Sequence, residues 1–112
     1  MLIPIIMGSK ADMGFADKIA AALQSFGVSY EVRIASAHKS LEHLLKLLDA
    51  YEASGQVAAY ITIAGRSNAL SGVVDARTTA PVIACPPYSE AFGGADIYSS
   101  LRMPKEIGRA HV

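Results

Sequence analysis

Short unbroken apolar runs alternate along this chain with longer stretches in which apolar residues recur every three or four positions. Residues 3–7 form one such run, ending at Gly8, the pattern of a strand covered on both faces. A helix follows, with Asp12 placed to cap it and Ala16, Ile19, Ala20, Leu23 and Phe26 on one apolar face. Gly27 stands where a helix end calls for a left-handed residue. Residues 28–34 predict a second strand. Ser40 then caps a second helix that buries Leu41, Leu44, Leu45, Leu48 and Tyr51 and stops near Gly55. Residues 57–64 are β-branched and apolar, hence a third, central strand. Ser67 or Asn68 can cap a short helix running through Val74. Residues 81–85 predict a fourth strand, closed by Pro86 and Pro87, and residues 96–101 a last helix.

Strand and helix alternate throughout, which predicts an α/β fold. The expected form is a three-layer αβα sandwich with a parallel sheet, flavodoxin-like or Rossmann-like, joined by right-handed crossovers. With 112 residues, the chain has room for one domain. Its hydrophobic fraction of 52% against 18% charged residues is too apolar for a disordered chain.

Charge narrows the partners. Ten Lys and Arg balance ten Asp and Glu, so no global field recruits nucleic acid or an anionic membrane, and any anion must be held by a local site. The single cysteine, Cys85, excludes an internal disulfide and a cysteine-based zinc cluster. The apolar start lacks the basic residues and length of a signal peptide, and no run reaches the roughly 18 apolar residues of a membrane helix. The expectation is a cytoplasmic protein.

In a parallel sheet, ligands bind beyond the carboxyl ends of the strands. The loops expected there are residues 8–12, 36–40, 65–68 and 86–94, and they hold the residues with chemistry to offer. Gly8 and Ser9 can bring backbone N–H groups and a hydroxyl to an anion, and Asp12 can accept from sugar hydroxyls; a tight turn with an ordinary cap would use the same residues. His38 is able to exchange a proton near neutrality beside Lys39, a cation for phosphate, or the two are a solvated loop pair. Gly65, Arg66, Ser67 and Asn68 supply a flexible backbone and polar side chains, or a turn and cap. Cys85 reads as a small buried residue, with no base placed to activate it. Residues 88–94 are a lid or a simple connection.

Five segments, taken together and in order, resemble the PurE family of purine biosynthesis. They are Met7-Gly8-Ser9-Lys10-Ala11-Asp12-Met13, Ser36-Ala37-His38-Lys39, Ala64-Gly65-Arg66-Ser67-Asn68-Ala69-Leu70-Ser71-Gly72, Ala84-Cys85-Pro86-Pro87 and Asp96-Ile97-Tyr98-Ser99-Ser100-Leu101-Arg102-Met103-Pro104. Within that family the carbamate mutases typically carry Ser-Ala-His-Arg and a Gly-Gly-Ala third loop. Ser-Ala-His-Lys with Ala-Gly-Arg-Ser-Asn is the pattern of class II, the carboxylases of 5-aminoimidazole ribonucleotide (AIR).

The resemblance implies addition of CO2, as co-substrate, to C4 of AIR, giving 4-carboxy-AIR without metal, biotin or ATP. It implies His38 as general acid/base. Ser9 and Lys39 would hold the phosphate with the N–H groups of the Gly8 loop, and Asp12 the ribose. Ser36, Gly65, Arg66 and Ser67 would complete the substrate pocket. The implied partners are a small ribonucleotide and further copies of the chain in a homo-octamer, with no nucleic acid and no membrane. Alternatives of other kinds are the N5-carboxy-AIR mutase of the same fold and a non-catalytic ribonucleotide-binding module.

Two departures carry their own expectations. Ala11 stands where the family usually has serine, which removes a hydroxyl and predicts weaker binding. After Pro104 the family pattern is lost, and residues 106–112 resemble a translated sequencing adapter. The expected organisation is a single domain over residues 1–105, incomplete at its C-terminus and lacking the family's terminal helix, followed by a non-native tail. Such a chain should expose apolar core surface, associate, and turn over weakly.

Overall fold

The computed structural model describes residues 1–66, 68–88, 90–102 and 109–111. Five strands form one parallel sheet: β1 (Leu2–Met7), β2 (Ser29–Ile34), β3 (Tyr60–Ile63), β4 (Val82–Ala84) and β5 (Arg109–His111), in the spatial order β2-β1-β3-β4-β5. Among the described residues four α-helices accompany them: α1 (Met13–Ser25), α2 (Leu41–Ser54), α3 (Leu70–Ala76) and the single turn α4 (Tyr98–Leu101). The strand pairing is in register from Leu2 opposite Ser29 to Met7 opposite Ile34, and from Ile5 opposite Ile61 to Met7 opposite Ile63.

The alternation of side chains along a strand sorts the core into two layers. Ile5, Met7, Ile61 and Ile63 pack with Ala16 and Ala20 of α1. Ile6, Tyr60 and Val82 pack on the other face with Leu44, Leu48 and Tyr51 of α2 and Leu70 and Val74 of α3. This is the three-layer αβα sandwich expected from the sequence. Because β1 and β3 are covered on both faces, each is buried at successive positions, and β3 even buries Thr62. Edge strand β2, by contrast, is half exposed.

The predicted elements are trimmed and re-capped. Phe26, expected on the buried face of α1, is 81% exposed, because it occupies the C-cap, where the helix has already ended. Leu41, the first residue of α2, is 45% exposed; the buried positions of that helix begin only at Leu44. Gly27 and Gly55 take left-handed backbone (φ 72° and 66°), as their helix-end positions require.

Asp12 precedes α1 but makes no side-chain cap; a short 3-10 turn, Lys10–Asp12, intervenes, and Ser9 caps that turn by accepting the Ala11 N–H at 3.2 Å. Ser40 likewise leaves α2 uncapped, its hydroxyl turning back to the backbone of Ser36. The predicted third strand is shorter than expected: Val57 makes one isolated bridge to Leu2, and the ladder resumes only at Tyr60. The helix expected over 96–101 divides into a 3-10 turn, Ala95–Ile97, and α4. Of the tail expected to be foreign, residues 106–108 and 112 lie outside the described residues, while 109–111 lie beside β4 as β5. No helix among the described residues is long and apolar enough to cross a membrane.

Candidate active site

In the order 2-1-3-4-5 the connections leaving β1 and β3 run to opposite sides of the sheet, so a crevice opens beyond the carboxyl ends of β1 and β3. The structure has a cleft of about 430 Å³ there. Gly8, Ser9, Ala11 and Asp12 reach it from the loop after β1, and Ser36, Ala37, His38 and Lys39 from the loop after β2. Ala64, Gly65 and Arg66 come from the loop after β3, with Pro87 and Tyr88 from the loop after β4. Every sequence-predicted site residue among those described therefore lines one cleft. Ser67 lies outside the described residues.

The first two loops are held mainly by their own residues, apart from the Gly8 N–H, which donates to the Ile63 carbonyl of β3 at 3.0 Å. Besides the Ser9 cap, the Asp12 N–H donates to the Ser9 carbonyl at 3.1 Å. Burial pushes the Asp12 carboxyl above its ordinary range; a side chain already partly stripped of water is suited to accept from a ligand hydroxyl. After β2, the Ser36 hydroxyl accepts the Lys39 N–H at 3.1 Å, and the Ser36 carbonyl accepts the Ser40 N–H at 3.0 Å. His38 thus sits at the apex of a turn closed on both sides by serine.

The third loop is held from elsewhere. Arg66 has left-handed backbone, φ 58°, which a non-glycine residue seldom adopts. Its N–H donates to a carboxylate oxygen of Asp96 at 2.6 Å. The Ser99 hydroxyl stands 2.9 Å from the Arg66 carbonyl oxygen and 2.8 Å from that of Asp96, and it accepts the Asn68 N–H at 2.9 Å. Asn68 is buried; its amide donates to the Ser100 hydroxyl at 2.7 Å, and its oxygen accepts the N–H of Ser71, in the first turn of α3, at 3.2 Å. The N-cap position itself is Ala69, so neither Ser67 nor Asn68 occupies it. The Arg66 guanidinium lies 5.8 Å from the centre of the Phe92 ring, within cation–π range.

Sequence reasoning placed Asp96 in a helix and did not connect it, Ser99 or Ser100 with the site. Tyr88 is a further cleft residue it left open; its ring packs so close to Gly94 that a Cβ there would stand 2.7 Å from the ring. Cys85 is buried in the α1 layer, and burial raises its thiol pKa, which suits a packing residue rather than a nucleophile. Among the described residues, no group of three or more His, Cys, Asp or Glu side chains could hold a metal ion.

A family model described as AIR carboxylase matches residues 2–112. The chain belongs to the AIR carboxylase family. A phosphoribosylaminoimidazole carboxylase of Treponema denticola is 58% identical over 99% of this chain and 70% of its own length. A second, of Archaeoglobus fulgidus, is 56% identical over 92% of this chain, which spans 56% of that relative. The crystal structure of Treponema denticola PurE superposes with a TM-score of 0.95 at 58% identity, over 99% of this chain and 70% of that one. For a family member, a crevice with histidine and lysine at one wall and a glycine-bearing loop at the other is the natural place for the chemistry.

Proposed function

We propose that this chain is an AIR carboxylase of class II, adding CO2 to C4 of 5-aminoimidazole ribonucleotide to give 4-carboxy-AIR. The observation that carries the reading is the convergence of His38 and Lys39 with Ser9, Asp12, Gly65 and Arg66 on one cleft at the sheet's switch point.

C4 of the substrate, next to the amino-bearing C5, is an enamine-type carbon, and the C4=C5 electron pair attacks the carbon of CO2 through C4. A C–C bond forms as one C=O bond of CO2 becomes a carboxylate. The C4 proton then leaves, restoring the aromatic ring, and His38 takes it; in reverse, His38 returns the proton and CO2 departs. Lys39, Ser9 and the Gly8 loop hold the phosphate, and Asp12 accepts from the ribose hydroxyls. Ser36 contributes to the substrate pocket, and Gly65 and Arg66 shape the end that takes the base and CO2. Most of the acceleration comes from holding CO2 against C4.

Lys39 beside His38, and Arg66-Ser67-Asn68 in the third loop, support CO2 rather than a carbamate as the carboxyl source. We also propose a cytoplasmic setting, supported by the single reduced-type cysteine, and a homo-octamer, supported by exposed apolar side chains such as Phe26, Ile34 and Leu41.

The test is carboxylation of AIR in bicarbonate-buffered 13C-labelled CO2. It uses the 112-residue chain and the same chain extended by the C-terminal segment of the Treponema denticola relative, each beside His38→Asn. Label should enter 4-carboxy-AIR, with His38→Asn slower by roughly 10²- to 10⁴-fold. Turnover only from the N5-carboxylated isomer, or equal rates with His38→Asn, would overturn the reading.

A further inference from the structure

We propose that Asp96 is a positioning residue for the reaction, acting by fixing the peptide between Gly65 and Arg66 at the cleft wall. The inference rests on the functional reading above.

A trans peptide is planar, and its N–H and C=O point in opposite directions. Asp96 holds the N–H of the Gly65–Arg66 peptide at 2.6 Å, so the Gly65 carbonyl is fixed on the side away from Asp96. Ser99 engages the next carbonyl, that of Arg66, at 2.9 Å. The polar groups flanking Arg66 are thus both held, and held by a segment thirty residues further along the chain.

Three further observations show that this arrangement is built. Arg66 stays in the left-handed region although it is not glycine, which requires its surroundings to determine it. Gly65 leaves room for the carboxylate: a Cβ there would stand 3.3 Å from the bonded Asp96 oxygen. The Arg66 side chain is drawn toward Phe92, on the same bracing segment as Asp96. The hydrogen bond to an ionised acceptor is of the strong, short kind. Asp96 touches the loop and not the cleft: it is absent from the cleft lining, whereas Gly65 and Arg66 are part of it.

Removing the carboxylate frees the Arg66 N–H, and the peptide can turn over into an ordinary right-handed conformation. The Gly65 carbonyl then swings, and the wall beside the reacting base is misplaced. The loops after β1 and β2, which keep their own hydrogen bonds, do not change. Phosphate and ribose recognition should therefore survive while the chemical step fails.

Asp96→Ala and Asp96→Asn, made in whichever form of the chain turns over, separate this role from a merely structural one. Asp96→Ala should lower kcat roughly ten- to hundredfold, the cost of a misplaced wall, while ribose 5-phosphate binding by calorimetry stays at the wild-type value. Asp96→Asn keeps an acceptor oxygen and should recover most of the rate. An unchanged kcat in Asp96→Ala would overturn the proposal. So would loss of ribose 5-phosphate binding in step with kcat, or an Asp96→Asn variant no better than Asp96→Ala. Absence of turnover in both wild-type forms would instead overturn the functional reading, and this proposal with it.

Discussion

The two walls of the cleft are built by different means. Past the sheet ladder, where the Gly8 N–H still donates to the Ile63 carbonyl at 3.0 Å, the loops after β1 and β2 are stitched within five residues of sequence: Ser9 to Ala11, Ser36 to Lys39, Ser36 to Ser40. The loop after β3 is stitched across thirty or more, from Arg66 to Asp96 and from Asn68 to Ser99 and Ser100. Local turns form whenever their own residues are present. A remote brace makes one wall depend on the rest of the chain, so geometry at that wall is sensitive to changes far from it in sequence. In the proposed reaction the locally built wall holds what does not react, phosphate and ribose, together with His38. The braced wall meets the base and CO2, where placement within a fraction of an ångström decides the rate.

The contrast can be broken most sharply at Asn68. Replacing it with alanine removes the acceptor of the Ser71 N–H and a buried bond to Ser100 together. We expect about 2–3 kcal/mol of lost stability in urea titration, with a fall in turnover larger than the loss of folded protein explains. A loss under half a kilocalorie would mean that the brace is ornamental.

The matching local change is smaller. Ser36→Ala deletes one acceptor of a half-exposed turn and should cost about 0.5–1.5 kcal/mol; because Leu44 and the Ser40 backbone still anchor the turn, its melting transition should stay cooperative. If Ser36→Ala destabilises more than Asn68→Ala, the ranking of the two walls is reversed.

The smallest effect is one of pH. Burial raises the folded-state pKa of Asp12 above its unfolded value. Between those two values the folded protein binds more protons than the unfolded one, so stability falls as pH rises through the interval and levels off above it. Asp12→Asn should flatten that slope in denaturant midpoints measured across the acid range. A slope that persists unchanged in Asp12→Asn belongs to another group.

These differences also explain what could be read from the sequence. The continuous run before Gly8 and the spacing of Leu44, Leu48 and Tyr51 located β1 and α2, because burial imposes a period on residue type. Periodicity is silent where an element ends, so Phe26 and Leu41 carry the right chemistry for a core they do not enter. The first two loops were legible because serine, glycine and histidine act there on their immediate neighbours. The brace was not, since a hydrogen bond from Arg66 to Asp96 leaves no mark at either end. Even the left-handed turn at Arg66 was hidden, since no glycine marks it. Family resemblance reached the same residues by motif, without showing how they are held.

The remoteness of Asp96 also has a consequence in time. At roughly 5–20 residues per second of synthesis, the carboxylate leaves the ribosome between about 1.5 and 6 seconds after the Arg66 amide it must meet, thirty residues earlier. In that interval β1, β2 and β3 can already pair, and the turns carrying Ser9 and His38 can already close. The nascent protein would then have a place for a ribose phosphate before it has a wall for the carbon that reacts, and the bracing segment becomes the step at which a binding surface turns into an enzyme.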